Sequence, residues 1–237
     1  MDQFMEKDDQ RRAFENRMKQ EQVNRCRDMA GKLKILFFIK IASIVMVALA
    51  MASTINTAVV MGTMGVSESV AMASFNAIAL VFVLASLALG IVYGVMLMAM
   101  GRYMPEFSGA GLFTIISSVL STIHDFTGHN IFNILSIVFS ILCIMRFADG
   151  MKTALSGYSV NNSVDSELAY KWGEFKALNI KMLIVTGVCV VVAIIPIINL
   201  LVILPLLIVL VVAVVLSIWQ LILIYKSSVS MNEYVPI

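Results

Sequence analysis

Long apolar runs separated by short polar breaks dominate the chain from residue 35 onward. A membrane-crossing helix uses about 20 mainly apolar residues, because each adds about 1.5 Å against a hydrocarbon core of about 30 Å. Ile35 to Thr57 satisfies this, with Lys40 one turn inside its start, where a long stem can return the ammonium to the headgroups. Val70 to Met100 is longer than one crossing requires, which predicts a tilted span or one that emerges by a turn. Residues 109–123 and 131–145 are shorter runs flanking His124-Asp125-Phe126-Thr127-Gly128-His129-Asn130. They predict either two full spans, Ser108 to Phe126 and Asn130 to Ala148, or a re-entrant pair that does not cross. Met182 to Tyr225 is an apolar run of 44 residues. At about 66 Å as a helix it must fold back on itself, and Pro196, Asn199 and Pro205 mark the expected turn.

Charge orders these runs across the membrane. Six spans with the amino terminus inside put every Lys and Arg on the inner side: the head, the loop with Arg102, the loop with Arg146, Lys152, Lys171, Lys176 and Lys181, and the tail with Lys226. Lys40 lies at the inner end of the first span, and the outer loops 58–69, 127–129 and about 197–202 hold no basic residue. The positive-inside rule therefore sets both termini in the cytoplasm. Four crossings with 109–148 re-entrant would keep the same orientation, because the number of spans stays even. The expected fold is all-α, a polytopic helical membrane protein of six transmembrane helices, with four plus a re-entrant hairpin as the alternative.

Composition excludes a soluble globule. Of 237 residues 60% are hydrophobic and 14% charged, with a mean hydropathy of +0.93. The 17 basic and 15 acidic residues are too few to clothe a water-soluble body of this size. The net charge of +2 conceals segregation, since residues 1–34 alone carry nine basic and seven acidic side chains. That head is a solvated, mixed-charge segment rather than a polybasic tail, and it is too long for the n-region of a secretory signal. The first apolar run accordingly reads as a retained span, although Ala48-Leu49-Ala50 looks superficially like a cleavage site.

The expected organisation is a cytoplasmic helical head (1–34), a four-helix membrane region (35–148), a cytoplasmic loop with an amphipathic helix (149–181), a transmembrane hairpin (182–225) and a cytoplasmic tail (226–237). The loop begins with a turn-rich string, Ser156 to Ser163, and then takes helical spacing. Asp165 is the expected N-cap, and Leu168, Trp172 and Phe175 fall on one face with Lys171 and Lys176 at its borders. Such a stripe suits a membrane-surface helix, and it equally suits packing against the protein's own inner face. In the head, Phe14, Met18, Cys26 and Met29 form a thin apolar line too irregular for a coiled coil. The segments before the first and fifth spans share Gly31-x-Leu33-Lys34 and Gly173-x-Phe175-Lys176, which duplication or a common need for boundary lysines would explain.

Candidate chemistry is sparse. His124, Asp125 and His129 could present zinc-type ligands, but a structural site needs four, and Thr127-Gly128 makes an ordinary hairpin turn. Thr114, Ser118, Ser121 and Asp125 share a face of the third span, and Asn133, Ser136, Ser140 and Cys143 a face of the fourth. These groups either hydrogen-bond between helices or line a polar path, and packing is the favoured reading. Ser86-x-x-x-Gly90-x-x-x-Gly94 in the second span is a small-residue stripe that lets another helix approach closely. Met96, Met98 and Met100 alternate around a helix and do not gather as a soft-metal site. Cys26, Cys143 and Cys189 are too far apart in sequence to suggest a disulfide framework. Phosphate-cradling glycine loops, nucleophile motifs and paired membrane acids are lacking, so neither catalysis nor a cofactor is expected.

Asp165-Ser166-Glu167-Leu168-Ala169-Tyr170-Lys171-Trp172, the apolar hairpin with Ile195-Pro196 and the closing Ile224-Tyr225-Lys226 resemble uncharacterised small polytopic membrane proteins of Firmicutes-type bacteria. The resemblance covers roughly the carboxy-terminal third and implies a bacterial inner-membrane topology. Some of those proteins carry a cysteine-rich zinc ribbon at the amino terminus, where this chain has only Cys26. The expectation is a noncatalytic component of the cell membrane acting through its cytoplasmic face, with a small transporter or channel as the alternative. Expected partners are the lipid bilayer and a second copy or another membrane or cytoplasmic protein, with no nucleic acid.

Overall fold

The computed structural model describes residues 2–64, 68–159, 166–193 and 199–235, with side chains chiefly over 10–46, 79–157, 166–186 and 211–235. Among these residues all regular structure is helical: α1 (Asp2–Met64), α2 (Glu68–Met100), α3 (Pro105–Thr127), α4 (Asn130–Ser159), α5 (Ser166–Ala193) and α6 (Asn199–Asn232). The chain divides into two compact units, Met1–Lys34 with Ala148–Ile237, and Ile35–Phe147.

Several helices run through the borders that polarity marks. The head and the first apolar run form one 63-residue helix, because no proline precedes Pro105 and the head is rich in good helix formers. Arg11–Glu15 and Glu21–Arg25 ion pairs, at 3.2 and 2.5 Å, support its exposed face at i,i+4 spacing. The surface segment beginning at Ser166 and the fifth apolar run are likewise one helix. Residues 156–159, expected to turn, complete α4 instead, and the expected cap Asp165 lies outside the described residues. Pro196 also lies outside them, whereas Pro205, expected at the turn, sits within α6. A proline removes one amide bond without necessarily ending a helix whose neighbouring residues are all apolar.

Four helical stretches among the described residues are long and apolar enough to cross a membrane: Ala79–Met100, Pro105–Thr127, Asn130–Gly157 and Val211–Asn232. The α3–α4 hairpin therefore consists of two arms that each reach across a hydrocarbon core of about 30 Å by length. The first and fifth apolar runs include residues whose side chains lie outside those described.

Local chemistry sets the ends of α3. Pro105 opens it at a position where the missing amide costs nothing, with Glu106 in the first turn facing the positive end of the helix dipole. Gly128 closes it at φ +68°, donating its N–H to the His124 carbonyl at 2.7 Å. Only glycine adopts that left-handed conformation without strain, so the tight 127–129 turn has a direct cause.

Candidate functional site

Within the unit formed by residues 1–34 and 148–237, four helical segments bury a common core. Cys26, Met29 and Leu33 come from α1, Met151, Ala154 and Leu155 from α4, Leu168, Trp172 and Phe175 from α5, and Leu223, Ile224 and Met231 from α6. Leu168, Trp172 and Phe175 are 2, 0 and 1% exposed, so the apolar stripe of α5 is covered by protein. Phe175 stands edge-on to Trp172 and to Trp219 of α6, each with ring centroids 5.7 Å apart. The reason for a protein cover is polar as well as apolar. Trp172 donates its indole N–H to Ser227 Oγ at 3.0 Å, a partner that hydrocarbon could not supply. Ser228 donates to the Ala30 carbonyl at 2.9 Å, tying α6 to α1.

The border lysines stay at the edge of this core. Lys171 pairs with Glu167 at 2.6 Å, and the neighbouring ammonium holds the exposed Glu167 carboxyl below its usual range. Any stability from that pair is present above the ordinary carboxylate range and fades as acid protonates Glu167 through its lowered folded value. Lys176 reaches across to α4 and contacts both Asp149 oxygens, at 2.7 and 2.8 Å. Both partners are part-exposed, so solvent screens the attraction to about 1 kcal/mol or less. Asp149→Asn should accordingly lower thermal stability slightly at low salt and hardly at all at high salt, read from melting curves of the purified protein.

Polarity hides part of this core from sequence reading. Residues 226–237 read as a cytoplasmic tail, yet Ser227, Ser228, Met231 and Tyr234 are buried. The available signal is helical spacing: Ile224, Ser227, Met231 and Tyr234 follow i, i+3, i+7 and i+10. The parallel drawn between Gly31-x-Leu33 and Gly173-x-Phe175 extends to burial of Leu33 and Phe175.

In the unit spanning 35–147, the small-residue stripe of α2 lies against α3. A methyl group added at Gly94 would meet Ile115 Cγ1 at 2.5 Å and the Gly111 carbonyl oxygen at 2.8 Å. One added at Gly90 would collide with Ser118. Four-residue spacing points to Gly90 and Gly94 but gives no sign of Gly111, whose backbone meets Gly94 from the other helix. Ser86 lies on the same stripe one turn away and is exposed.

Hydroxyl groups join α3 to α4. Ser117 Oγ lies 2.7 Å from Ser140 Oγ and 3.1 Å from Ser136 Oγ, and Ser136 Oγ donates to the Ser117 carbonyl at 3.0 Å. Thr114 donates to the Ala110 carbonyl at 2.9 Å, so the Cys143 thiol, 2.9 Å from Thr114 Oγ1, is the donor in that second contact. Ser118 turns back on its own helix to the Thr114 carbonyl. Phe107–Phe147 and Phe113–Phe139 ring contacts flank the same seam. Thr114 and Cys143, and Ser117 with Ser136 and Ser140, thus satisfy each other across the seam as packing residues do, whereas Ser121, Asp125 and Asn133 are exposed.

At the α3–α4 tip, His124 Nδ1 lies 3.2 Å from the His129 carbonyl, while Asp125 and His129 are exposed. That contact ties one ring nitrogen of His124 to the turn. Among the described residues no three His, Cys, Asp or Glu side chains gather as a metal site.

Comparison with family models, curated proteins and solved structures finds no match. Helix length and composition define the class: the chain is a multi-span helical membrane protein in contact with the lipid bilayer.

Proposed function

We propose that this is a six-span protein of a bacterial cytoplasmic membrane, with both termini inside, that acts without catalysis by presenting its cytoplasmic helical unit to a protein partner. The observation carrying this reading is the contrast along α1. Cys26, Met29 and Leu33 are buried, whereas Phe14 and Met18, on the part of the helix nearer the amino terminus, are 64 and 45% exposed. Those two side chains stand one helical turn apart amid charged neighbours, an arrangement suited to anchoring a partner helix. The distribution of Lys and Arg supports the orientation, and the Firmicutes-type resemblance supports the bacterial setting.

Deletion of residues 1–30 would strip Cys26, Met29 and Ala30 from the core, so a cleaner test stops at residue 22 or replaces Phe14 and Met18 by serine. Crosslinking in native membranes should then lose specific protein adducts while the melting temperature holds. An unchanged adduct profile with both variants would count against the head as the interaction surface. The hydroxyl seam of α3 and α4 offers less support to the transport alternative, since Ser140 is bonded to Ser117 and Ser118 to its own backbone.

A further inference from the structure

Charge pairing along the head part of α1 leaves cations over. Among residues 10–34 the acidic side chains are Glu15, Glu21 and Asp28, and each is taken: by Arg11 at 3.2 Å, Arg25 at 2.5 Å and Lys32 at 3.6 Å. Of the cations left, Arg27 and Lys34 stand nearest the apolar run that opens at Ile35. Both are exposed and have no ion-pair or hydrogen-bond partner among the described residues, while Cys26, Met29, Ala30 and Leu33 bury a different face of the helix. Gly31 lies between them, four residues from one and three from the other, so the three positions are neighbours on the helix surface. Glycine weakens a helix interior relative to alanine. Among the described residues nothing lies within 4 Å of a methyl group added at Gly31, so packing within the protein does not account for it. The glycine instead leaves an open notch of bare backbone between two unpaired cations.

Position indicates what fills the notch. Lys34 is the last residue before the apolar run, and the headgroup layer beyond a hydrocarbon edge is about 5–7 Å deep. Three residues of helix rise about 4.5 Å, so Gly31 lies at the level of the lipid phosphates, with Arg27 about 6 Å farther out. Helical side chains lean toward the amino terminus, which carries the Lys34 ammonium over Gly31. Basic side chains at such a boundary attract anionic lipid. We propose that Arg27, Gly31 and Lys34 bind the phosphate of an anionic phospholipid. The two cations supply the charge, and the glycine lets the headgroup approach the backbone. This site requires the reading of α1 as a span that enters the bilayer at Ile35. Lys32, at the same level, has a side chain only 16% exposed and held by Asp28, and it takes no part.

The test uses the full chain in nanodiscs of mixed phosphatidylglycerol and phosphatidylcholine at low ionic strength. Lipid retained after transfer to neutral detergent is counted by native mass spectrometry. Phosphatidylglycerol should be retained in preference to phosphatidylcholine. Arg27→Gln and Lys34→Gln should each lower that preference about fivefold and together about 30-fold, the usual attraction of one and of two cations to an anionic surface. Arg12→Gln with Lys19→Gln removes the same charge from the exposed head farther from Ile35, and should leave the preference unchanged. Gly31→Leu should hold or raise the melting temperature in detergent, because leucine is the better helix former and the position is open, yet it should lose the retained lipid. Equal loss in the two double variants would reduce the effect to net charge and overturn the site, as would full retention in both Arg27→Gln/Lys34→Gln and Gly31→Leu. Inorganic phosphate stabilising the delipidated protein as much as short-chain phosphatidylglycerol does would overturn the lipid as occupant. Cysteine in place of Val45, 49% exposed, in a chain otherwise lacking cysteine, separates this site from the span it requires. Protection from an impermeant maleimide in the nanodisc keeps the span, so lost selectivity then counts against the lipid site alone, whereas labelling there would remove both.

Discussion

Trp172→Ala is expected to destabilise the unit formed by residues 1–34 and 148–237 by about 3–5 kcal/mol, the range for truncating a fully buried large aromatic. The side chain is completely buried, stands edge-on to Phe175 and donates to Ser227, so its removal leaves a cavity and a hydroxyl stripped of its donor. Ser227→Ala should cost less, about 1–3 kcal/mol, because it leaves the indole N–H unpaired while the packing stays. Tyr170, 65% exposed on the same helix, gives the contrast: Tyr170→Ala should change the melting temperature little. Thermal unfolding in detergent ranks the three variants. Equal effects for Trp172→Ala and Tyr170→Ala would mean that the α5 stripe is not covered as described, and a lipid-facing stripe would regain favour.

Gly94→Leu is expected to be the damaging change within residues 35–147. Even a single added carbon meets the Gly111 carbonyl oxygen at 2.8 Å, and backbone cannot yield as a side-chain tip can. Leucine adds three further carbons, so α2 must move off α3. Overpacking of this kind costs about 1–3 kcal/mol or more, and the immediate readout is a lower detergent melting temperature with increased protease cleavage between α2 and α3. Gly109→Ala provides the contrast, since nothing lies within 4 Å of a methyl group there. A Gly94→Leu protein as stable as Gly109→Ala would remove the close α2–α3 approach from the description.

The features legible in the sequence are those that a single segment determines. The 127–129 turn follows from Gly128 and its left-handed φ, and the Ser86, Gly90, Gly94 stripe follows from four-residue spacing. Features that depend on what stands opposite are not legible in this way. The spacing of Leu168, Trp172 and Phe175 specifies an apolar face and is indifferent to whether lipid or protein covers it. The deciding partner, Ser227, lies 55 residues onward in a stretch whose serines read as solvated tail. Helix ends were misplaced for a related reason. Ser156 to Ser159 have weak helix propensity, yet α4 continues through them beyond the buried Met151, Ala154 and Leu155. Of the polar residues that spacing puts on facing sides of α3 and α4, Thr114 meets Cys143 across the seam, while Ser136 and Ser140 meet Ser117, which that spacing does not single out.

Six crossings with inward termini can be tested most directly by cysteine accessibility in intact cells. Single cysteines at positions 68, 127 and 200, in a chain otherwise lacking Cys26, Cys143 and Cys189, would be treated with a membrane-impermeant maleimide. Six spans require all three to label from outside, with a cysteine at position 19 protected until the membrane is opened. Labelling at 68 and 200 with protection at 127 would contradict them and restore the four-span arrangement with a re-entrant α3–α4 hairpin.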